Sequence, residues 1–353
     1  MDAGAVGASV WTLQGLPVPE PAGPLAQGIA IAAILSLGWE RRRRRSTSAC
    51  KLEPFPRQRH CRAVLLGLRP LDPDWPLWFA LLMAFEPRIR LPHTDLEVGR
   101  IGLGSSFGVE ASDLEYAFDH GINYFYWGSI RRPGFGEGIR RLARRNRDQI
   151  AVALQSYARW PASLLRHAVD SGLRRLRLDH ADVLLLGWFN QRPPRAILDA
   201  ALELREQGRV RHLMMSGHRR PFFAEMARDE IFDLFMVRYN AAHRGAESDV
   251  FPKLPEGDER PAVCAYTATR WGSLLDPKKP PKGENVPSAG DCYRFVLSHP
   301  SVDMTLCGPA NREHVREACE ALAKGPMDEG EQAWMRRVGD HLYGRSPVSA
   351  MAD

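Results

Sequence analysis

From Arg100 to Lys324 the sequence carries eight short β-rich runs, seven of them followed by a longer helix-forming run and the sixth by a long polar loop. Such alternation with brief connections marks a parallel sheet covered by helices. Strands are expected at Arg100–Gly104, Tyr124–Trp127, Ile150–Ser156, Ala181–Trp188, Val210–Gly217, Leu234–Tyr239, Ala262–Tyr266 and Val302–Cys307. Among them Val183-Leu184-Leu185-Leu186 suits burial on both faces. Helices are expected at Ala111–His120, Gly136–Asn146, Pro161–Leu178, Pro194–Gln207, Pro221–Asp229, Gly290–Ser298 and Arg312–Lys324, with Gly121 and Gly208 ending two of them. A hairpin, Ile89-Arg90-Leu91 with Leu96-Glu97-Val98, precedes the first strand, and a helix at Asp328–Leu342 follows the last unit. Eight units in roughly 250 residues is the size of one (β/α)8 TIM barrel. A doubly wound open sheet is the alternative, but no glycine fingerprint with an acidic residue about 20 positions on follows the first strand. Gly134-Phe135-Gly136-Glu137-Gly138 has no P-loop lysine and no dinucleotide spacing, so it reads as a permissive loop opening a helix.

In such a barrel the side chains at the C-terminal strand ends line the mouth where chemistry sits. The stretch from Asp119 to Arg131 is therefore central. A helix closes at Gly121, the run Tyr124-Phe125-Tyr126-Trp127 favours a strand, and the residues from Tyr126 to Arg131 fall at the mouth.

The chain of 353 residues leaves an extension at 1–82, a barrel at 83–345 and a tail at 346–353. The extension has a proline-rich opening (Pro17, Pro19, Pro21, Pro24), a mostly apolar run at Leu25–Trp39 and an unbroken basic block at Arg41–Arg45. A spanning helix needs about 20 apolar residues and a secretory signal puts its basic residues first, so neither fits. A poorly ordered extension is the expectation, with membrane contact of residues 25–45 the weaker reading; if the run inserted, the arginines would hold its C-terminal side in the cytoplasm. Met83-Ala84-Phe85-Glu86-Pro87 also reads as an alternative start. The net charge of +6 is concentrated there: residues 1–82 hold 10 Lys/Arg against 6 Asp/Glu, leaving 38 against 36 for the rest. A nearly neutral barrel argues against a nucleic-acid surface. The six cysteines (Cys50, Cys61, Cys264, Cys292, Cys307, Cys319) show no CxxC pair and no zinc-ligand spacing, so no metal site is expected. A reducing cytoplasm fits this usage, and Cys264 and Cys307 are expected to be small buried apolar residues within strands.

Several motifs in order resemble the aldo-keto reductases across residues 86–343: Val98-Gly99-Arg100-Ile101-Gly102-Leu103-Gly104; Gly121-Ile122-Asn123-Tyr124-Phe125; Asp182-Val183-Leu184-Leu185-Leu186; Gly208-Arg209-Val210-Arg211-His212 leading to Ser216; Arg238-Tyr239-Asn240; and Ser298-His299-Pro300-Ser301-Val302 through Gly308 to Glu317. The resemblance implies a barrel that passes hydride between NADP(H) and a carbonyl. In that family a tyrosine donates the proton, tuned by a lysine and an aspartate, while a histidine orients the carbonyl. Here Tyr126 stands at the aspartate position, Arg131 at the tyrosine, Gln155 (beside Ser156) at the lysine and Gly187 at the histidine. Tyrosine has a pKa near 10 and needs the cation to work near neutrality, and Arg131 cannot release its proton there. The resemblance places Ser216 at the nicotinamide amide, with Gly217 replacing an asparagine and Met236 a glutamine. It places Tyr266 under the nicotinamide ring, followed by the hydroxyl residue Thr267, and Gly308, Asn311, His314 and Glu317 at the adenosine phosphate and adenine, with Ala318 replacing an asparagine. Backbone amides opening the helix at Arg312 suit a phosphate.

Three readings follow. In the first the protein binds NADP(H) and acts on an unidentified carbonyl or alcohol through replacement groups, Tyr126 and His218. In the second it is a pseudoenzyme that binds NADP(H) or another anionic small molecule as a sensor or partner subunit. In the third the barrel is only an interaction scaffold, which the retained Ser216, Tyr266 and Glu317 argue against. Tyr126 is read in preference as an aromatic plug of the mouth, His218 equally as a surface histidine, and His243-Arg244 with Glu247 either as a solvated ion-pair group or as an anion-recognition group.

Overall fold

Eight parallel strands close into a barrel in the order β10-β3-β4-β5-β6-β7-β8-β9 in this computed structural model, which describes residues 84–128 and 130–343. The extension at 1–82, the Met83 start, Cys50, Cys61, the run at residues 25–45, Ser129 and the tail at 346–353 lie outside the described residues. The antiparallel hairpin of β1 (Ile89–Arg90) and β2 (Glu97–Val98) comes first. The barrel strands are β3 (Ile101–Gly104), β4 (Tyr124–Trp127), β5 (Ala151–Ser156), β6 (Ala181–Leu186), β7 (Val210–Ser216), β8 (Leu234–Arg238), β9 (Ala262–Tyr266) and β10 (Met304–Cys307). Helices α1 (Ala111–Asp119), α2 (Pro133–Asn146), α3 (Ala162–Leu176), α4 (Arg195–Glu206), α5 (Pro221–Ala227), α6 (Ala246–Asp249), α7 (Ala289–Leu297), α8 (Arg312–Lys324) and α9 (Glu329–Tyr343) complete the chain. The expected (β/α)8 barrel with an N-terminal hairpin and an extra C-terminal helix is therefore what forms. No helix among the described residues is long and apolar enough to cross a membrane.

Strand residues alternate between two cores. Tyr124, Ala153, Leu185, Met214, Met236, Cys264 and Met304 point into the barrel, while Phe125, Leu154, Leu184, Leu213 and Phe235 meet the helices. Size is balanced across the interior. A Cβ on Gly102 would fall 2.8 Å from the Tyr124 ring, so glycine there makes room for the largest inward side chain. The hairpin brings Leu91, Leu96 and Val98 into this inner core and thereby stoppers the N-terminal end. Cys264 and Cys307 are fully buried.

A repeated polar device closes the same end. Asn123 beside β4, Asp182 in β6, Asp233 before β8 and Asp303 before β10 each accept a backbone N–H from the preceding strand or the residues leading into it. The donors are Gly99 at 2.9 Å, Val152 at 2.7 Å, Leu213 at 2.8 Å and Val263 at 2.7 Å. Arginines neutralise the carboxylates: Arg147 and Arg211 reach Asp182, Arg205 reaches Asp233, and Arg260 grips Asp303 through both nitrogens. A buried carboxylate is tolerable only when paired and hydrogen-bonded in this way.

Two expectations need correction. Strand β6 stops at Leu186 rather than Trp188, because Trp188 has φ +61° and turns the chain. The helix expected from Gly136 starts at Pro133, a residue suited to the first helical position, so Gly134 too belongs to helix α2 and the glycine cluster is no loop. A Cβ on Gly136 would lie 2.7 Å from the Trp127 ring, and one on Gly138 would lie 2.8 Å from Leu114. These glycines seat α2 tightly against β4 and α1.

Candidate active site

The mouth is assembled from strand ends that alternate inward. On β4, the Tyr126 hydroxyl donates a hydrogen bond to Gln155 Oε1 on β5. Packing inside the barrel pushes the Tyr126 pKa well above its ordinary value, with Tyr157 and Tyr124 adding to the effect and Arg131 opposing it only weakly. Its hydroxyl is thus a very weak acid whose hydrogen is already engaged. Arg131 donates through Nε to the Gly128 carbonyl at 3.0 Å and through Nη2 to the Gln155 carbonyl at 3.0 Å, so it ties the β4 loop to β5. At Gly187 a Cβ would come within 2.7 Å of the Tyr157 ring and 2.8 Å of Gln155 Nε2. Tyr157 and Gln155 occupy the space a side chain at 187 would need.

The ends of β7 and β9 carry the other mouth residues. Ser216 ends β7, and its Oγ accepts the Trp188 N–H at 3.1 Å, which leaves the hydroxyl proton available to a ligand. His218 is anchored by its backbone N–H, donated to Asn190 Oδ1 at 2.6 Å. Its ring stands edge-on to Trp188 at 5.3 Å, and Trp188 in turn meets Tyr157 at 6.0 Å. Burial, then the charge of Arg238, lowers the His218 pKa, so the imidazole is neutral at pH 7. Tyr266 on β9 pairs in register with Arg238 on β8. Burial pushes the Tyr266 hydroxyl up to about 12, against the pull of Arg238, so its ring is a neutral aromatic surface. Beyond it the chain turns sharply: Thr267, Arg270, Trp271 and Gly272 all have positive φ (60°, 50°, 51° and 77°). Thr267 donates its hydroxyl to the Tyr266 carbonyl at 2.6 Å.

The adenosine end predicted from the sequence gathers after β10. Gly308 lies against the Phe107 ring. Asn311 caps α8, its Oδ1 accepting the His314 N–H at 3.1 Å, while His314 Nδ1 accepts from Ala310 N–H at 3.2 Å. Glu317 Oε1 accepts the Gly290 N–H at the start of α7, and Arg312 is bound to Asp113 at 2.7 Å. Each of these side chains already holds a protein partner.

Elsewhere, Glu247 is a structural group: it accepts from the Tyr239 hydroxyl at 2.6 Å and pairs with Arg336 of α9. Arg244 pairs with Asp340 of α9 at 2.7 Å. No cluster of three or more His, Cys, Asp or Glu able to hold a metal occurs among the described residues. The sequence reading missed Tyr157, Trp188 and Arg238 as mouth residues. Arg238 was within reach, since it stands two positions after Met236 on a strand and must share its inward face. Tyr157 and Trp188 lie beyond strand ends, where periodicity gives no direction.

The fold and mouth define a closed (β/α)8 barrel with an aromatic, cation-bearing site at its C-terminal face. No family model and no curated protein matches the chain. Solved structures do. It is similar to an aldo-keto reductase from Bacillus halodurans in its holo form, at 19% identity and TM-score 0.60, covering 71% of this chain and 95% of that one. It is similar also to an aldo-keto reductase from Klebsiella pneumoniae in complex with NADPH, at 24% identity and TM-score 0.59, covering 72% and 95%. The same Klebsiella protein in complex with NADP and acetate matches at TM-score 0.59, covering 72% and 96%. The chain has the fold of the aldo-keto reductases.

Proposed function

We propose that the protein binds NADP(H) across the C-terminal mouth and is an oxidoreductase acting on a carbonyl or alcohol. The observation that carries this is the placement of an aromatic ring, Tyr266 at the end of β9, and the Ser216 hydroxyl at the end of β7 on either side of β8, at the mouth of a barrel with the aldo-keto-reductase fold. In this reading Tyr266 stacks under the nicotinamide and Ser216 donates to its carboxamide. Thr267 and Gly308 flank the phosphates, the opening N–H groups of α8 hold a phosphate, and Asn311, His314 and Glu317 surround the adenosine. The bound cofactor supplies or takes the hydride. His218, a neutral imidazole at the mouth, would orient the substrate oxygen by donating a hydrogen bond, in place of the groups absent at 126, 131, 155 and 187, and the proton that this oxygen gains on reduction or loses on oxidation would be exchanged with solvent water. The free thiols among the described residues (Cys264, Cys292, Cys307, Cys319) fit a reducing, cytoplasmic setting.

A pseudoenzyme that binds NADP(H) or an anion is the second reading, and the engaged, weakly acidic Tyr126 favours it. Titrating the full chain with NADPH while following tryptophan fluorescence tests both. No binding at millimolar cofactor would sink the NADP(H) reading of both and leave only a protein that binds another anion. With binding in hand, loss of nicotinamide absorbance against a panel of aldehydes, quinones and oxo acids separates enzyme from sensor.

A further inference from the structure

A cavity of about 190 Å³ opens beside the mouth between the loops after β7 and β8 and helix α9. Its lining includes Arg220, Arg238, Arg244, His218 and His243, with Asp340 the one carboxylate. Among the described residues the lining carries more cations than carboxylates. Arg220 is bound to Asp249 at 2.7 Å and Arg244 to Asp340 at 2.7 Å. The Arg238 side chain has no hydrogen-bond partner and meets no carboxylate among the described residues, although it is half-buried on the inward face of β8. Arg270, itself buried, stands close enough to feel this charge and spends its Nη1 on the Leu342 carbonyl. The surroundings register the excess. Burial and then the charges of Arg238, Arg270 and Arg220 push the His243 pKa down to about 4, and Arg238 likewise depresses His218.

A partly desolvated guanidinium without a counterion is costly, and an arriving oxyanion offsets that cost through charge-assisted, bidentate hydrogen bonds. The cavity is smaller than the roughly 300–1,000 Å³ of a pocket that encloses a whole small molecule, so it suits an acid group rather than a complete ligand. Its position fixes what the rest of that ligand would touch. Arg238 is in register with Tyr266, and Met236, the next inward residue below it, is in register with Ser216. We propose that this cavity receives the carboxylate of the substrate on Arg238, and that the protein therefore acts on oxo acids rather than on neutral aldehydes. The assignment rests on reading Tyr266 and Ser216 as the nicotinamide platform, toward which an acid held at Arg238 would extend.

The test is calorimetric titration of the full chain with acetate, with acetamide as the uncharged isostere, each with and without saturating NADPH. Acetate is expected to bind at least about tenfold more tightly than acetamide in both conditions. Arg238→Gln is expected to abolish acetate binding, to keep NADPH binding, and to melt no lower than the parent because no protein partner is lost. Arg238→Lys, which keeps the charge without the bidentate fork, is expected to weaken acetate by about tenfold, and it serves should the glutamine variant fail to fold. Equal binding of acetate and acetamide, or retention of acetate by both Arg238 variants, overturns the proposal. So does displacement of acetate by NADPH, which would assign Arg238 to a cofactor phosphate. Failure of the parent to bind NADPH removes the cofactor reading while leaving the acetate arm of the comparison intact, so the two failures are distinguishable.

Discussion

Asp182 offers the sharpest test of how the barrel is closed. Its carboxylate is 1% exposed, accepts the Val152 N–H at 2.7 Å, and lies 3.0 Å from Arg147 and 3.2 Å from Arg211. Asp182→Ala leaves that buried N–H without a partner, a loss of about 1–3 kcal/mol. It also strips a carboxylate from two arginines, and breaking a buried pair costs about 3–5 kcal/mol in all. The lower end applies, because Arg211 keeps Asp95 and Arg147 keeps the Ile150 and His180 carbonyls. About 3 kcal/mol corresponds to a fall in Tm of roughly 6–12 °C for a domain of this size. Asp182→Asn keeps an oxygen for Val152 and loses only the charge, so its cost should be about 1–2 kcal/mol. Thermal unfolding of the full chain by circular dichroism at neutral pH reads both. An alanine variant that melts within about 2 °C of the parent, or an asparagine variant as damaged as the alanine one, would refute the claim that the strand N–H is what Asp182 holds.

Tyr126→Phe should leave the turnover of an active preparation unchanged and cost no more than about 0.5–1.5 kcal/mol in stability, the worth of one hydrogen bond; a large fall in kcat with the fold intact would restore Tyr126 as the proton donor. His243 has its folded pKa at about 4 against an unfolded value near 6.5, so the unfolded chain takes up the proton first as pH falls. Its contribution to stability is therefore neutral above about pH 6.5 and increasingly unfavourable down to about pH 4, and a His243→Gln variant should show a flatter Tm profile across that window. Gly187→Ala should destabilise by about 1–3 kcal/mol by forcing Tyr157 and Gln155 aside, measured by urea unfolding; a neutral result would mean the space at 187 is open.

Much of the architecture is legible because a parallel sheet buried on both faces leaves few compositions free. Ala262–Tyr266, Tyr124–Trp127 and Arg312–Lys324 form over the spans that hydrophobic pattern and β-branched or aromatic content predict. Boundaries shift where a contact distant in sequence decides them. The helix expected from Gly136 starts three residues earlier, at Pro133, and the Trp127 ring and Leu114 demand that no side chain stand at Gly136 and Gly138 inside it. Trp188 looks like the end of a strand, yet it turns away so that its N–H can reach Ser216 on β7.

The mouth divides in the same way. A sequence can show that glycine stands at 187, but that Tyr157 and Gln155 fill the vacated space depends on where two neighbouring strand ends point. Likewise Arg238 is visible beside Tyr239, and its inward direction follows from strand period. What makes it chemically interesting is the lack of any carboxylate among the described residues around it, a property of the folded arrangement that no local pattern encodes. The chain contains enough acids to pair its arginines and does so at the barrel's opposite end, where Asp182, Asp233 and Asp303 each draw one or more. That the mouth, with Arg238 in register with Tyr266, is where pairing stops among the described residues is the physical reason to look for an anionic ligand there rather than at the more completely compensated N-terminal end.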